Sequence, residues 1–412
     1  MDKALVHGAD HTPTDTRRRV VGRVRMSRGL SLLNNHYPSL HGLRAVMVVV
    51  VLQVHVTFVA LYSGIPVPDG WRRWSFSVWY SMDLFFVLSG FLIGYMLLYS
   101  IEDRSEPRML RFYIRRAFRI LPLYYVCLVL IALLPRRLPT QGIDWREWVY
   151  LTNFPFDLHD VMYWSWSLSV EEHFYLLVPL LMVALYRLST HARRLWLLAC
   201  LWLACLVIKL PIALDMPAHV NSLGFLKDVY TPTYNRIDTM VAGIAAAYIH
   251  RTWPRELDGI FSRRWVNVLL PLAVVIPVII MAAQFSVFPG TAPGRPYFLK
   301  GALMMGTPTS ILFAALLLWV IHARNFLTRI LSHRFFRYYA TLSYGIYIVH
   351  IPVIEHLVSP NVVAPLDKAT GSFAAAWCAG LAACFLLSLA VAYTLHQLVE
   401  KPALRLRDRL AS

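Results

Sequence analysis

Apolar residues run along this chain in long blocks separated by short polar or basic stretches. Ten blocks reach or approach the length of a membrane span: 43–62, 79–99, 120–134, 172–186, 195–214, 237–250, 267–284, 301–321, 338–357 and 374–397. A helix rises about 1.5 Å per residue, so roughly 20 apolar residues cross a hydrocarbon core about 30 Å thick. The blocks near 120 and 237 are short and must lengthen into their flanks to span. The pattern predicts an all-α polytopic membrane protein with about ten transmembrane helices. The longest stretch between blocks, about 135–170, is too short for a separate domain, and neither an internal repeat nor a Gly/Ser linker divides the chain.

Composition strengthens this reading. Hydrophobic residues make up 58% of the 412 positions and charged residues 15%, with a mean hydropathy of +0.52. A soluble domain does not have this balance. The net charge of +17 is unevenly placed. Of the 40 Lys and Arg residues, 28 fall in the tail before Arg44, the alternate loops that share its side, and the C-terminal tail; the other loops hold 10. Positive loops stay inside, so both termini are expected in the cytoplasm, and attraction to an anionic inner leaflet accounts for the charge without nucleic acid. Residues 1–36, with Arg17, Arg18 and Arg19, read as a basic cytoplasmic tail without the apolar core of a cleavable signal peptide. Residues 37–412 read as one membrane domain. Cys127, Cys200, Cys205, Cys378 and Cys384 all fall within predicted spans, without metal-ligand spacing, and read as packing residues; no metal is expected.

Against this apolar background the polar residues stand out. Arg44 and His55 are eleven residues apart in the first block. At about 100° per residue both fall on one helix face, roughly 16 Å apart along it. An ionisable group inside lipid is costly and points to function. The plainer alternative is a histidine satisfied by a neighbouring helix and an arginine reaching the interface.

With the orientation above, His55, Asp83, Glu171, Glu172, Arg236, Asp238 and His350 lie at similar depth toward the outer side, on five helices. They suggest one outward-facing polar cavity in which a histidine serves as general base and a carboxylate orients its imidazole. Ordinary roles stand beside this: acidic first turns for Asp83, Glu171 and Glu172, an interfacial pair for Arg236 and Asp238, and a packed histidine for His350. On the opposite side, Arg111, Arg115, Arg116 and Arg119 precede the third block at helical spacings that can converge on one anion. Either a phosphorylated ligand or positive-inside anchoring accounts for them.

Seven ordered segments then carry a resemblance: HGLRAV followed by His55, SMDLFFVLSGFLIG, RRAFRILPLYY, WSLSVEEHFYLLVP, RIDTMVAG, SYGIYIVHIPV and VEKPALRLR. From about residue 36 to 409 the chain resembles the acyltransferase-3 family of integral membrane acyltransferases. Arg44 and His55 meet its pattern of a basic residue, ten others and a histidine; Arg116 and Arg119 meet its RxxR pattern.

The resemblance implies transfer of an acyl group, usually acetyl, from cytoplasmic acyl-CoA to a hydroxyl on a glycan or glycosylated small molecule, in the inner (plasma) membrane. It implies that Arg116 and Arg119, with Arg115 beside them, bind the CoA phosphates. His55 would activate the acceptor hydroxyl or relay the acyl group, and Asp83, Glu171 and Glu172 would tune His55 or hold acceptor hydroxyls. Arg44 would stabilise a carbonyl or developing oxyanion. Trp166, with Trp71, Trp145 and Trp164, and the polar Arg236, Asp238 and His350 are expected to contact the acceptor. Some relatives continue into an SGNH-type hydrolase domain; this chain resembles the stand-alone form. A proton-coupled secondary transporter or flippase of a sugar-containing substrate is the competing expectation.

Overall fold

The computed structural model describes residues 37–78, 81–102, 109–135, 142–217, 222–284, 299 and 306–410. The basic tail, with Arg17 to Arg19, lies outside these residues. Ten principal helices follow in order: α1 Ser39–Tyr62, α2 Ser81–Glu102, α3 Met109–Ala132, α4 Trp166–Arg187, α5 His191–Asp215, α6 Ile237–Thr252, α7 Arg264–Gln284, α8 Thr307–His322, α9 Phe335–Val353 and α10 Phe373–Leu395. Each overlies one of the apolar blocks. Among the described residues there is no strand, only an isolated bridge between Asn153 and Phe156.

Among the described residues, six helices qualify as membrane spans by length and apolarity, or seven if a pair bent by 90° around residue 262 is one span. The expected ten includes helices that fall short of that test. α6 and α8 are 16 residues long, and α3 carries Arg111, Arg115, Arg116 and Arg119 in its first half. α3 begins well before its apolar block because the stretch RFYIRRAFRI is itself amphipathic and continues the helix.

The centre of the bundle is the crossing of α2 with α6. A Cβ on Gly90 would lie 2.1 Å from the carbonyl oxygen of Met240, and one on Gly243 would lie 2.1 Å from that of Val87. Small residues here let two backbones touch, as in many membrane helix pairs. Around the crossing, Val87, Phe91, Ile244 and Leu317 are fully buried. α5 is peripheral: Trp196, Leu203, Val207 and Ile208 are exposed along it, an apolar surface that lipid satisfies and water does not. Two of the cysteines read as packing residues, Cys200 and Cys378, are exposed instead, because each lies on the outward face of a peripheral helix.

Candidate active site

The residues expected to share one cavity separate into three groups. The first surrounds an aromatic cavity lined by His55, Phe58, Trp164, Trp166, Tyr230 and Tyr347, among others, whose unfilled space counted out through its open mouth is about 670 Å³. His55 Nδ1 lies 2.9 Å from the carbonyl oxygen of Val51, one turn back on α1. A carbonyl can only accept, so the neutral ring keeps its proton on Nδ1 and leaves Nε2 as a proton acceptor. His350 of α9 packs edge-to-face on His55 with ring centroids 4.7 Å apart. Below it, Tyr347 donates its hydroxyl proton to the carbonyl oxygen of Trp164 at 2.6 Å. Its oxygen also lies 2.5 Å from Ser167 Oγ.

A loop closes over this cavity. Phe156, Leu158, Tyr163 and Trp164 belong to it, and the chain between α3 and α4 is pinned by Arg146, which donates to Asp144 at 2.9 Å, Asp160 at 2.8 Å and the carbonyl oxygen of Pro155 at 2.6 Å. Asp144 and Glu147 form a capping box on the short helix Trp145–Trp148. The backbone N–H of Arg146 bonded to Asp144 holds that carboxyl below the usual carboxylate value. Trp145 is exposed, and Trp71 packs on Trp377 with ring centroids 5.1 Å apart; neither lines the cavity.

The second group lies behind the cavity wall. Asp83 and Arg236 pair at 2.7 Å with 0% and 2% of their side chains exposed. Asp83 also accepts from the N–H of Gly306 at 3.0 Å and from Thr309 at 3.1 Å. Asp238 accepts from Thr307 at 2.6 Å and from Lys209 at 3.3 Å. Two carboxylates and two cations thus join α2, α5, α6 and the start of α8. Gly306 has φ +79°, and a Cβ there would meet Lys209 Nζ at 2.8 Å, so this corner requires glycine. Arg236 donates to the carbonyl oxygen of Tyr230 at 2.6 Å, and its Cζ sits 3.8 Å from the Tyr230 ring centroid. Asp83 is therefore spent on Arg236 rather than on His55, and the charges support the aromatic wall from outside.

The third group is the arginine end. Arg44, Arg116 and Arg119 lie within electrostatic range of one another and of Tyr175; Glu171 lies within range of Arg44 and Arg116. Arg116 Cζ is 4.9 Å from the Tyr175 ring centroid. Tyr175 donates to Glu171 at 3.1 Å and meets Ser89 of α2 at 2.8 Å. Glu172 also lies within range of Arg116. Both glutamates belong here rather than at the outer mouth because α4 starts at Trp166, six residues before its apolar block, which carries them into the second turn. Arg119 is exposed and Arg44 and Arg116 are partly so, leaving guanidiniums from two helices open to an anion. Arg115 instead faces Arg111, Arg407 and Asp408, toward the terminal helix Lys401–Leu410.

α4 links the two ends. Ser167 reaches Tyr347 beside the cavity, and one turn on Glu171 reaches the arginines; the charge of Glu171 acts on Tyr347 as well. Sequence reasoning missed Lys209, Ser167, Ser89, Tyr175 and Tyr230. Lys209, a lone cation inside an apolar block, was the one legible signal.

No solved structure matches the chain. It is 26% identical over 379 residues to the peptidoglycan O-acetyltransferase OatA of Listeria monocytogenes, covering 84% of this chain and 55% of that protein. It is 27% identical over 344 residues to YrhL of Bacillus subtilis, a provisionally named peptidoglycan O-acetyltransferase, covering 78% of this chain and 49% of that one. The chain thus spans about half the length of these relatives. A family profile described as an acyltransferase domain matches residues 37–395, the stretch that holds both the histidine cavity and the arginine cluster, and the chain belongs to the acyltransferase-3 family.

Proposed function

We propose that this protein is a membrane O-acyltransferase that moves an acyl group, acetyl in the first instance, from cytoplasmic acyl-CoA to a hydroxyl of a glycan or glycosylated small molecule. The observation that carries this reading is the continuity of one helix. α1 presents Arg44 to the arginine cluster and, roughly 16 Å further on, His55 to the aromatic cavity. In this reading ten helices cross a plasma membrane with both termini in the cytoplasm. Arg116 and Arg119 receive the CoA phosphates by charge-assisted hydrogen bonds, with Arg44 placed deeper on the thioester's route. Arg115 contributes to the surrounding positive field.

The acceptor enters the aromatic cavity, where Trp166, Trp164 and Tyr230 offer ring faces of the kind that stack on sugars. His55 Nε2 takes the hydroxyl proton as the oxygen attacks the thioester carbon. The C–S bond breaks, and the departing thiolate of CoA recovers a proton. A thioester is already activated, so orientation and general-base help supply most of what is needed. Asp83, Arg236 and Asp238 hold the wall of the cavity and touch no reacting atom. The relatives named as peptidoglycan O-acetyltransferases support a glycan acceptor and acetyl transfer. No metal is required by these steps.

The test is acetyl-CoA turnover by the full chain in nanodiscs, following free CoA and labelled acetyl separately. Wild type is expected to release CoA, His55→Ala to lose about 10²–10⁴-fold in rate, the usual worth of a general base, and Arg119→Ala to bind acyl-CoA more weakly. Failure of wild type to bind or consume any acyl-CoA counts against the donor and revives the transporter.

A further inference from the structure

The cavity holds a second imidazole. His350 Nδ1 lies 2.5 Å from the carbonyl oxygen of Tyr347, as His55 Nδ1 lies against that of Val51. Both neutral rings therefore keep a proton on Nδ1 and a lone pair on Nε2. His55 faces the cavity; His350 is fully buried, and its Nε2 has no hydrogen-bond partner. Buried ring nitrogens are usually satisfied, and a partnerless one touching the base of a reaction calls for a reason. The titratable groups around the pair are the phenols of Tyr163 on the loop and Tyr347 on α9. Glu171 acts on Tyr347, but apart from the charge of His55 on His350, no carboxylate or cation among the described residues acts on either imidazole. A proton arriving at His55 meets no countercharge, and the ring packed nearest to it is that of His350, at 4.7 Å against 6.5 Å for Phe58.

We infer that His350 is a positioning residue for His55, the two imidazoles forming one proton-accepting unit that stabilises the charge His55 acquires from the acceptor hydroxyl. The hydroxyl proton bonds to His55 Nε2, the positive charge rests against the neutral ring of His350, and the proton then leaves for the thiolate of CoA, returning both rings to their starting state. A second proton is refused, because two cations cannot share this apolar place. The inference rests on the acyltransferase reading for the source of the proton, while the pairing itself is measurable without turnover.

The experiment is a pH titration of ¹⁵N-histidine-labelled full chain in nanodiscs by NMR, with the two resonances assigned from their loss in His55→Asn and His350→Asn. In wild type the two rings are expected to take up a single proton between them, held on His55, with His350 staying neutral over the same range. In His350→Asn the midpoint of His55 is expected to fall by about one pH unit, a tenfold loss of proton affinity. Independent titration of the rings in wild type overturns the inference, and this needs no variant to fold. An unmoved His55 midpoint in a folded His350→Asn does the same. Turnover separates the two readings: His350→Asn should lower kcat at least tenfold with the KM for acetyl-CoA unchanged. A paired titration in a wild type without acyl-CoA turnover fails the acyltransferase reading and leaves the pairing intact.

Discussion

Removing Arg236 should cost more stability than removing Arg236 and Asp83 together. Asp83 has none of its side chain exposed, and Arg236 is its countercharge at 2.7 Å. In Arg236→Met the carboxylate keeps its bonds from Gly306 and Thr309, but these exist before and after the change and do not offset it. Stranding one member of a buried ion pair costs about 3–5 kcal/mol. The second carboxylate, Asp238, adds to the repulsion on Asp83, and the Tyr230 ring loses a desolvated cation worth about 2 kcal/mol. We therefore expect Arg236→Met to lose about 5–7 kcal/mol. The double variant Asp83→Leu/Arg236→Met strands nothing and should recover about 2–3 kcal/mol of that, the coupling range of residues in direct contact. The assay is equilibrium unfolding in mixed detergent–SDS micelles, with both single variants and the double on one scale. A loss below about 1 kcal/mol for Arg236→Met, or a double variant equal to the sum of the singles, refutes the picture of a buried, mutually dependent pair.

Three further outcomes follow from the geometry. Gly90→Ala or Gly243→Ala sets a methyl 2.1 Å from a backbone oxygen, so either should force α2 and α6 apart and cost about 1–3 kcal/mol or more, read as a lower unfolding midpoint. Arg119→Ala should raise the KM for acetyl-CoA at least tenfold, while Arg115→Ala, which faces the terminal helix, should change it less than threefold; equal effects would contradict the separation of these side chains. Asp144→Ala removes the cap of the loop over the cavity and should cost about 0.5–2 kcal/mol. Because the folded carboxyl is held below its unfolded value, that contribution is present above pH about 4 and fades as pH falls through the folded value. Protection of the loop in hydrogen exchange at pH 7 and at pH 3 measures both.

How much of this was readable beforehand depends on the kind of information. Helix positions follow from apolar blocks, and every block contains a principal helix, because burial in lipid or protein makes the same demand at each position. The extension of α3 through Arg111 to Arg119 was legible in their helical spacing, whereas the start of α4 at Trp166 was not, because Trp166 to Glu171 mixes polar and apolar residues and its helix is decided by neighbours. That start sets Glu171 and Glu172 beside the arginines. The shared depth of Asp83, Arg236 and Asp238 was legible; their mutual pairing was not, since depth carries no information about which way a side chain turns. His55 and His350 were both marked by isolation in apolar helices, yet their contact depends on how α1 and α9 pack. The tyrosines and serines linking the two ends left no signal, being ordinary residues in spans of this composition.

The charge quartet sets an order of events during synthesis. Asp83 enters the membrane 153 residues before Arg236 is made, and 223 before the N–H of Gly306 is available. Lys209 likewise precedes Asp238 and Thr307. An ionised group at the centre of a helix opposes insertion by about 2.5–3.5 kcal/mol; Asp83 in the first turn of α2 and Lys209 in the last third of α5 cost less than that, and the remaining apolar residues carry both helices in. The two ion pairs can close once Arg236 and Asp238 arrive with α6, and α8 then adds the neutral donors of Gly306, Thr307 and Thr309; a chain halted before α6 carries both early charges unmatched.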